Sequence, residues 1–383
     1  MSHERRYDLD WLRIALFLLL ILYHIGMYYV PWGWHVKSAH APVEWLKLPM
    51  GMMNPWRIPA LFIISGVALR FALDKSVSRS GFLKSRVVRL LLPVLFGMAV
   101  VCAPQAYYEL KEDGIEFTSM LSFYLGYLSP PWASPENWST ITPTWNHLWY
   151  VLYVLLLSLL IILVSMLFKG RFESRLERLT NRLCKKPVLF ILLPMVVSFF
   201  ILWIFKESVG AVQMVWGDWH RLVNSLWLML FGYAIAKHKA SWQVLWQTRW
   251  ITTGIAAVLG VVLGMANLDW YWVGSDYDPH FYITRSFYSW SFMLALLGFV
   301  QKVGRGPDKL RQYLSDAVFP YYVLHQTVII VLGVWLQQFG FSFNGEIVLL
   351  IMATALLTAL IHHFIVRNLG RYSILLGGRA RAR

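Results

Sequence analysis

Charge and cysteine are scarce in this chain of 383 residues: 14% of its residues are charged and two are cysteine, while 58% are hydrophobic. Soluble domains average roughly 25% charged residues. The shortage of charge excludes an ordinary soluble globule, the abundance of apolar residues excludes a disordered chain, and two cysteines exclude a disulfide framework. Acid is scarcer than base, 20 Asp and Glu against 35 Lys and Arg, which leaves a net charge of +15. In a soluble protein that surplus points to nucleic acid. The sequence also lacks a low-complexity linker and an internal repeat, the second of which speaks against an inverted-repeat transporter. It shows no small-residue cleavage site after its first apolar run, so that run is expected to remain as a helix. No soluble domain is appended, and a single domain is expected over 1–383. The longest stretch between apolar runs, 105–145, is loop-sized and is expected to contain a short interfacial helix.

What the sequence has is long apolar runs. A bilayer core of about 30 Å needs about 20 apolar residues in a helix, and ten runs qualify: 10–30, 55–74, 87–104, 146–168, 188–206, 219–236, 250–267, 284–302, 317–338 and 346–366. His220, Arg221 and Asn224 crowd the start of the sixth, which makes it the weakest. The expected fold is therefore an all-α polytopic membrane helix bundle of about ten transmembrane helices. An even number puts both termini on one side. Taking that side as cytoplasmic collects all but seven of the 35 basic residues there; the exceptions are Lys37, Lys47, Arg57, Lys111, Lys206, Arg221 and Arg285. The positive-inside rule fixes this orientation, with most acids outside, among them Glu109, Glu112, Asp269, Asp276 and Asp278. The net charge then reads as topology, and no nucleic-acid partner is expected. Cys102 and Cys184 fall on opposite sides and cannot pair. The outer loops are rich in Trp, Tyr and Pro, as interfacial or ligand-binding segments are.

Chemistry concentrates at a few polar residues in apolar surroundings. Arg13 and His24 are eleven positions apart, close to three full turns, so they share one helix face about 16 Å apart along the axis. That places His24 near the midplane, where an imidazole must face the protein interior or a water-filled cavity. A hydrogen bond to a neighbouring helix is the plainer explanation for it. Asp8, Asp10 and Arg13 form a charged group at the helix mouth, although Asp10 also suits the helix dipole and Arg13 also suits snorkelling to the interface. Arg86 and Arg89 share a face and offer two guanidinium forks to phosphate oxygens, or else anchor the topology. His325 lies at a depth comparable with His24, so the two can face one cavity, and a structural role fits it equally well. His147 and Trp149 open the fourth span, where interfacial placement explains them. Arg57 stands beside Pro55 and Pro59, which open the backbone hydrogen bonding of the second span. Ser65-Gly66 permits close helix packing, and His362 and His363 are read as structural.

Leu9-Asp10-Trp11-Leu12-Arg13 followed by His24, Arg57 before Phe62-Ile63-Ile64-Ser65-Gly66, the pair Arg86 and Arg89, His147-Leu148-Trp149 and Tyr322-Val323-Leu324-His325 occur in an order that resembles the acyltransferase-3 family of integral membrane acyltransferases. Trp34-His35-Val36-Lys37-Ser38-Ala39 looks most like its glucan succinyltransferase branch. The resemblance implies a bacterial inner-membrane, multi-pass enzyme that moves a succinyl or acetyl group from cytosolic acyl-CoA to a hydroxyl of a periplasmic or cell-envelope glycan. It implies His24 as general base, with Arg13 and His325 as further catalytic candidates. Arg86, Arg89 and Asp10 are then candidates for binding the donor, and Arg57, His147 and Trp149 for the acceptor side. Acyl-CoA is the co-substrate, a carbohydrate is the acceptor and lipid surrounds the chain. No tightly bound cofactor and no metal are expected, and homo-oligomerisation is left open. Two other classes compete: a proton-coupled transporter or flippase using His24 and His325 as a relay, and a structural subunit of an envelope assembly.

Overall fold

A computed structural model of the chain describes residues 6–129, 138–208, 217–265, 279–304 and 306–379. Arg5, Asp269, Asp276, Asp278, Arg305, Arg381 and Arg383, used above to read the topology, lie outside them. The described residues are helical, with no strand among them: α1 (Tyr7–Tyr29), α2 (Lys47–Lys75), α3 (Arg79–Phe96), α4 (Ala103–Glu112), α5 (Met120–Tyr127), α6 (Trp149–Leu167), α7 (Arg171–Cys184), α8 (Pro187–Ile204), α9 (Trp219–Ile235), α10 (Lys239–Met265), α11 (Pro279–Phe299), α12 (Lys309–Gln337) and α13 (Phe343–Leu360). Among the described residues, nine helical runs are long and apolar enough to cross a membrane. The fold is thus the expected all-α polytopic bundle. The sixth expected span forms α9, a helix of 17 residues, whose start is polar because the Asp218 side chain caps it by accepting from the Arg221 N–H at 3.0 Å. α5 is the short helix expected within 105–145. Both cysteines are free.

The chain divides into two compact units. The first comprises Met1–Leu16, Lys47–Ser85 and Tyr153–Pro307, the second Phe17–Leu46, Arg86–Leu152 and Asp308–Arg383.

In the first unit, α2 packs on α9 and α11, and α10 packs on α11. Small residues make the α2–α9 crossing. A Cβ added to Gly66 would lie 2.0 Å from the Met229 carbonyl oxygen, and one added to Gly232 would lie 2.0 Å from that of Ile63. Each glycine thus admits the opposite backbone, the packing expected of Ser65-Gly66. α2 continues through Pro55 and Pro59. Pro59 has no N–H to give to the Pro55 carbonyl, four residues back, and the Ser289 hydroxyl of α11 donates to that oxygen at 2.6 Å instead. Tyr288 donates to the Met52 carbonyl at 2.9 Å. The opened backbone is therefore satisfied by a neighbouring helix, as burial in an apolar bundle requires.

In the second unit, α12 packs on α4 and α13. The expected third span, 87–104, is part of a longer helical run, Arg79–Glu112. Pro93 interrupts its ladder, and from Gly97 to Val101 the helix widens to a π turn, with the Cys102 N–H reaching back five residues to the Gly97 oxygen at 2.7 Å. Such a turn shifts the phase of the residues after it, here Gln105 and Glu109 on α4. The end of α1 is capped with similar completeness. The last carbonyls of a helix have no partner within it. Here the Ser38 and Val43 N–H groups donate to the Tyr28 and Tyr29 oxygens, each at 3.0 Å. The Lys37 ammonium donates to the oxygens of Met27 at 2.5 Å, Trp32 at 3.0 Å, and Val30. A cluster of Ile25, Tyr28, Tyr29, Val36, Ile329, Ile330, Leu336 and Leu350 closes the core around this cap.

Candidate functional site

The second unit gathers three histidines from three segments: His24 on α1, His325 on α12 and His147 in the short turn before α6. His325 is fully buried, His147 is buried and His24 is half-buried. His24 Nδ1 lies 2.8 Å from His325 Nε2. His325 Nδ1 lies 2.7 Å from the Tyr322 carbonyl oxygen, and the His147 ring centroid is 5.0 Å from that of His325. The two histidines expected to face one cavity are in hydrogen-bond contact. His24 stands five residues before the Tyr29 end of α1, about 8 Å along its axis, so it lies past the middle of the helix, because α1 extends beyond the apolar run at its start and ends at Tyr29.

Hydrogen-bond chemistry sets the direction of this pair. A carbonyl oxygen only accepts, so His325 Nδ1 carries the hydrogen it gives to Tyr322 and Nε2 of the neutral ring keeps its lone pair. His24 Nδ1 must then donate to His325 Nε2. In this tautomer the lone pair of His24 is on Nε2, and the side chain is half-buried. Tyr322 fixes the arrangement from behind: its hydroxyl donates to the His147 carbonyl, and its ring meets Phe17 edge-on at 5.4 Å.

At the head of its span, His147 is buried inside the protein. Its Nε2 donates to the Val323 carbonyl at 3.0 Å, and its Nδ1 faces the Gln105 amide at 3.5 Å. Both ring nitrogens are satisfied by the protein, which removes the need for water. Among the described residues, no group of three histidine, cysteine or carboxylate side chains is placed to hold a metal ion.

A chain of amides runs from these histidines to an acid. Gln105 donates to Thr327 at 2.7 Å and accepts from Asn146 at 2.8 Å and from Gln326 at 3.2 Å. Gln326 also donates to His35 Nε2 at 2.7 Å, and His35 Nδ1 donates to the Glu109 carboxylate at 2.6 Å. One set of proton positions is consistent with all of these contacts. In the sequence Glu109 stands out only as an outer acid and His35 only within Trp34-His35-Val36-Lys37-Ser38-Ala39, while Gln105, Asn146 and Gln326 are not singled out. One signal was visible: Gln326 and Thr327 follow His325 inside an apolar span, where polar residues mark function.

The other candidates are distributed as follows. Arg86 and Arg89 belong to the second unit and flank the middle of α3, with Arg86 half-buried and Arg89 exposed. Trp149 begins α6, its ring 6.4 Å from that of Tyr150. Asp10, Arg13 and Arg57 belong to the first unit. Asp8 and Asp10 lie in the first turn of α1, and the Asp10 carboxylate is 3.6 Å from the Arg13 guanidinium, so the acid both suits the helix dipole and partly offsets the Arg13 charge. Arg57 is buried on α2 between the two prolines. Lys37, one of the few basic residues on its expected face, directs its ammonium at three backbone oxygens and so serves the helix end. Burial brings it down from 10.5 to about 8.

The family model described as "Acyltransferase domain" matches residues 6–363. Among curated proteins, the chain is similar to glucans biosynthesis protein C of Salmonella schwarzengrund, 33% identical over 134 residues, which cover 33% of this chain and 33% of the relative. It is also similar to glucans biosynthesis protein C of Escherichia coli O1:K1, 36% identical over 107 residues, covering 27% and 26%. The chain thus aligns with about a third of the length of the curated relatives it matches. No solved structure matches it.

Proposed function

The chain belongs to the acyltransferase-3 family of integral membrane acyltransferases, and on that premise we propose that it transfers an acyl group, succinyl or acetyl, from cytosolic acyl-CoA to a hydroxyl of a cell-envelope glycan. The observation that carries this reading is the His24–His325 pair with its lone pair directed to His24 Nε2. The acceptor hydroxyl gives its proton to His24 Nε2 while its oxygen attacks the thioester carbonyl carbon. The resulting tetrahedral intermediate collapses by breaking the carbon–sulfur bond, and the CoA thiolate leaves, taking the proton back from His24. His325 acts as a positioning residue: it holds the His24 ring by the Nδ1 hydrogen and shares the positive charge that forms on it, the role a second group plays behind a general base.

Arg86 and Arg89 supply guanidinium forks for the CoA phosphates. Within the second unit, His147 and Trp149 are the acceptor-side residues, with His147 acting through the network rather than by contact with solvent. The printed name of the curated relatives, glucans biosynthesis protein C, supports a glucan as acceptor. The proposed setting is a bacterial inner membrane with both termini cytoplasmic.

The test is acyl transfer from radiolabelled succinyl-CoA or acetyl-CoA to envelope glycan in inverted membrane vesicles. Transfer by the wild type and none by His24→Ala, at equal membrane insertion, is expected; equal transfer by both removes the assignment. A proton-coupled transporter could use the same histidine pair as a relay, and it would show neither acyl-CoA hydrolysis nor stabilisation by CoA.

A further inference from the structure

Where α1 ends, the segment that caps it lines an open cavity of about 300 Å³ within the second unit. Four aromatic rings line it, from Tyr28, Tyr29, Trp32 and Trp34, together with Ser38 and His40. Tyr28, Tyr29 and Trp32 are buried, whereas Trp34 is half-buried. Trp34 is therefore the tryptophan with ring surface to offer. Tyr28 meets it edge-on at 6.3 Å, and the Tyr28 hydroxyl is held by Gln337 at 2.6 Å. The polar side of the cavity is organised by Glu346, which is 2% exposed. One of its oxygens accepts from the Ser38 hydroxyl at 2.8 Å and the other lies 3.5 Å from His40 Nε2.

We propose that this cavity is the acceptor subsite and that it seats one pyranose ring of the glycan, with the C–H face of the sugar on Trp34 and its hydroxyl rim on Ser38 and His40. A sugar ring presents an apolar face bounded by hydroxyls, and a cavity of aromatic rings with a few fixed polar groups matches it. The volume suits one ring rather than a chain, which leaves the rest of a glycan outside. Position links the cavity to the chemistry. Tyr28 follows His24 by four residues and so shares its helix face, about 6 Å further along the axis. The cavity and His24 thus lie along one face of α1, and the part of the glycan outside the cavity reaches His24 along it. The Trp34 ring lies 5.7 Å from that of its neighbour His35.

The inference rests on the acyl-transfer reading for its choice of acceptor, and its test separates the two. Purified full-length protein is probed by saturation-transfer NMR with laminaripentaose, with a linear polyol of similar mass as control, and in parallel by acyl transfer from succinyl-CoA and acetyl-CoA. Wild type is expected to transfer saturation to the oligosaccharide and not to the polyol. Trp34→Ala is expected to lose that signal and to raise the acceptor KM at least 10-fold, with kcat within about twofold and Trp34→Phe retaining most of the affinity. Gly33→Leu provides a second variant that leaves every aromatic ring in place. Gly33 borders the cavity, and a Cβ there meets nothing within 4 Å, so this change fills space without a clash and is expected to raise the same KM with no loss of thermal stability. Oligosaccharide binding that disappears in both variants, without any acyl transfer by the wild type, keeps the sugar subsite and removes the acyl-transfer reading. Acyl transfer whose acceptor KM is the same in wild type, Trp34→Ala and Gly33→Leu overturns the subsite, as does an oligosaccharide signal absent from the wild type.

Discussion

The crossing of α2 and α9 in the first unit and the histidine region of the second unit bury backbone and polar atoms by opposite means. At the crossing, Gly66 and Gly232 remove side chains so that each backbone meets the other. Around the histidines, side chains are retained and every one is assigned a donor or acceptor, from Glu109 through His35, Gln326 and Gln105 to His147. The first arrangement gains packing and has no titratable group to lose. The second holds protons in defined places within an apolar bundle, at a cost that only a complete network offsets. The contrast teaches where chemistry and stability should separate under mutation.

The largest effect is expected at His24. Its replacement by Ala should lower acyl transfer by about 10³-fold, within the range that a positioned general base contributes, while thermal melting in detergent stays within a few degrees of wild type. At the glycine crossing the effect should appear in the other observable. Gly66→Val places a methyl group at a backbone oxygen and should destabilise the protein by about 3 kcal/mol, read as lost folded yield and a lower melting temperature. The fraction that folds should keep its activity per molecule. A Gly66→Val protein that melts like wild type would break the comparison from the stability side.

His325→Gln sharpens it from the other side. The amide retains bulk and some hydrogen bonding but does not share the charge on His24, so transfer should fall about 10²-fold, with the pH profile of kcat displaced. A merely structural role would leave that profile unmoved. Glu109→Gln should act more weakly, about 10-fold, because its influence reaches the histidines only through His35 and two amides.

The smallest effect concerns Lys37. Burial lowers its value to about 8 from 10.5, so between those two values the unfolded chain binds more protons than the folded one, and stability attributable to this group rises with pH. The melting temperature of wild type relative to Lys37→Met should therefore increase between pH 8 and pH 10.5. A constant or falling difference would contradict the burial of the ammonium.

Much of the bundle is legible in the apolar runs, and the departures have local causes. α10 begins at Lys239, well before the expected 250, because Trp242 and Leu245 are buried on one face of a stretch whose other face is polar. α12 begins at Lys309 because the Asp308 side chain accepts from the Leu310 and Arg311 N–H groups, a cap that hydropathy does not register. Arg79–Glu112 outruns its apolar core because the helix re-registers through a π turn rather than ending near Pro93.

The candidate site was legible at His24 and His325, which are costly in an apolar span and so stand out. The burial of His147 was not legible, since its two partners, Gln105 and Val323, lie 42 and 176 residues away in the chain. Gln105, Asn146 and Glu109 were hidden for the same reason. Their polarity is ordinary near a loop and acquires meaning only when α4 packs against α12.

The central claim is that His24, held by His325, takes the proton of a glycan hydroxyl. It is tested most directly by mass spectrometry of envelope glycans from cells carrying either the wild-type chain or His24→Ala at matched membrane levels. One acyl mass increment present with the wild type and absent with His24→Ala is the predicted result. The same increment at the same abundance in both would contradict it.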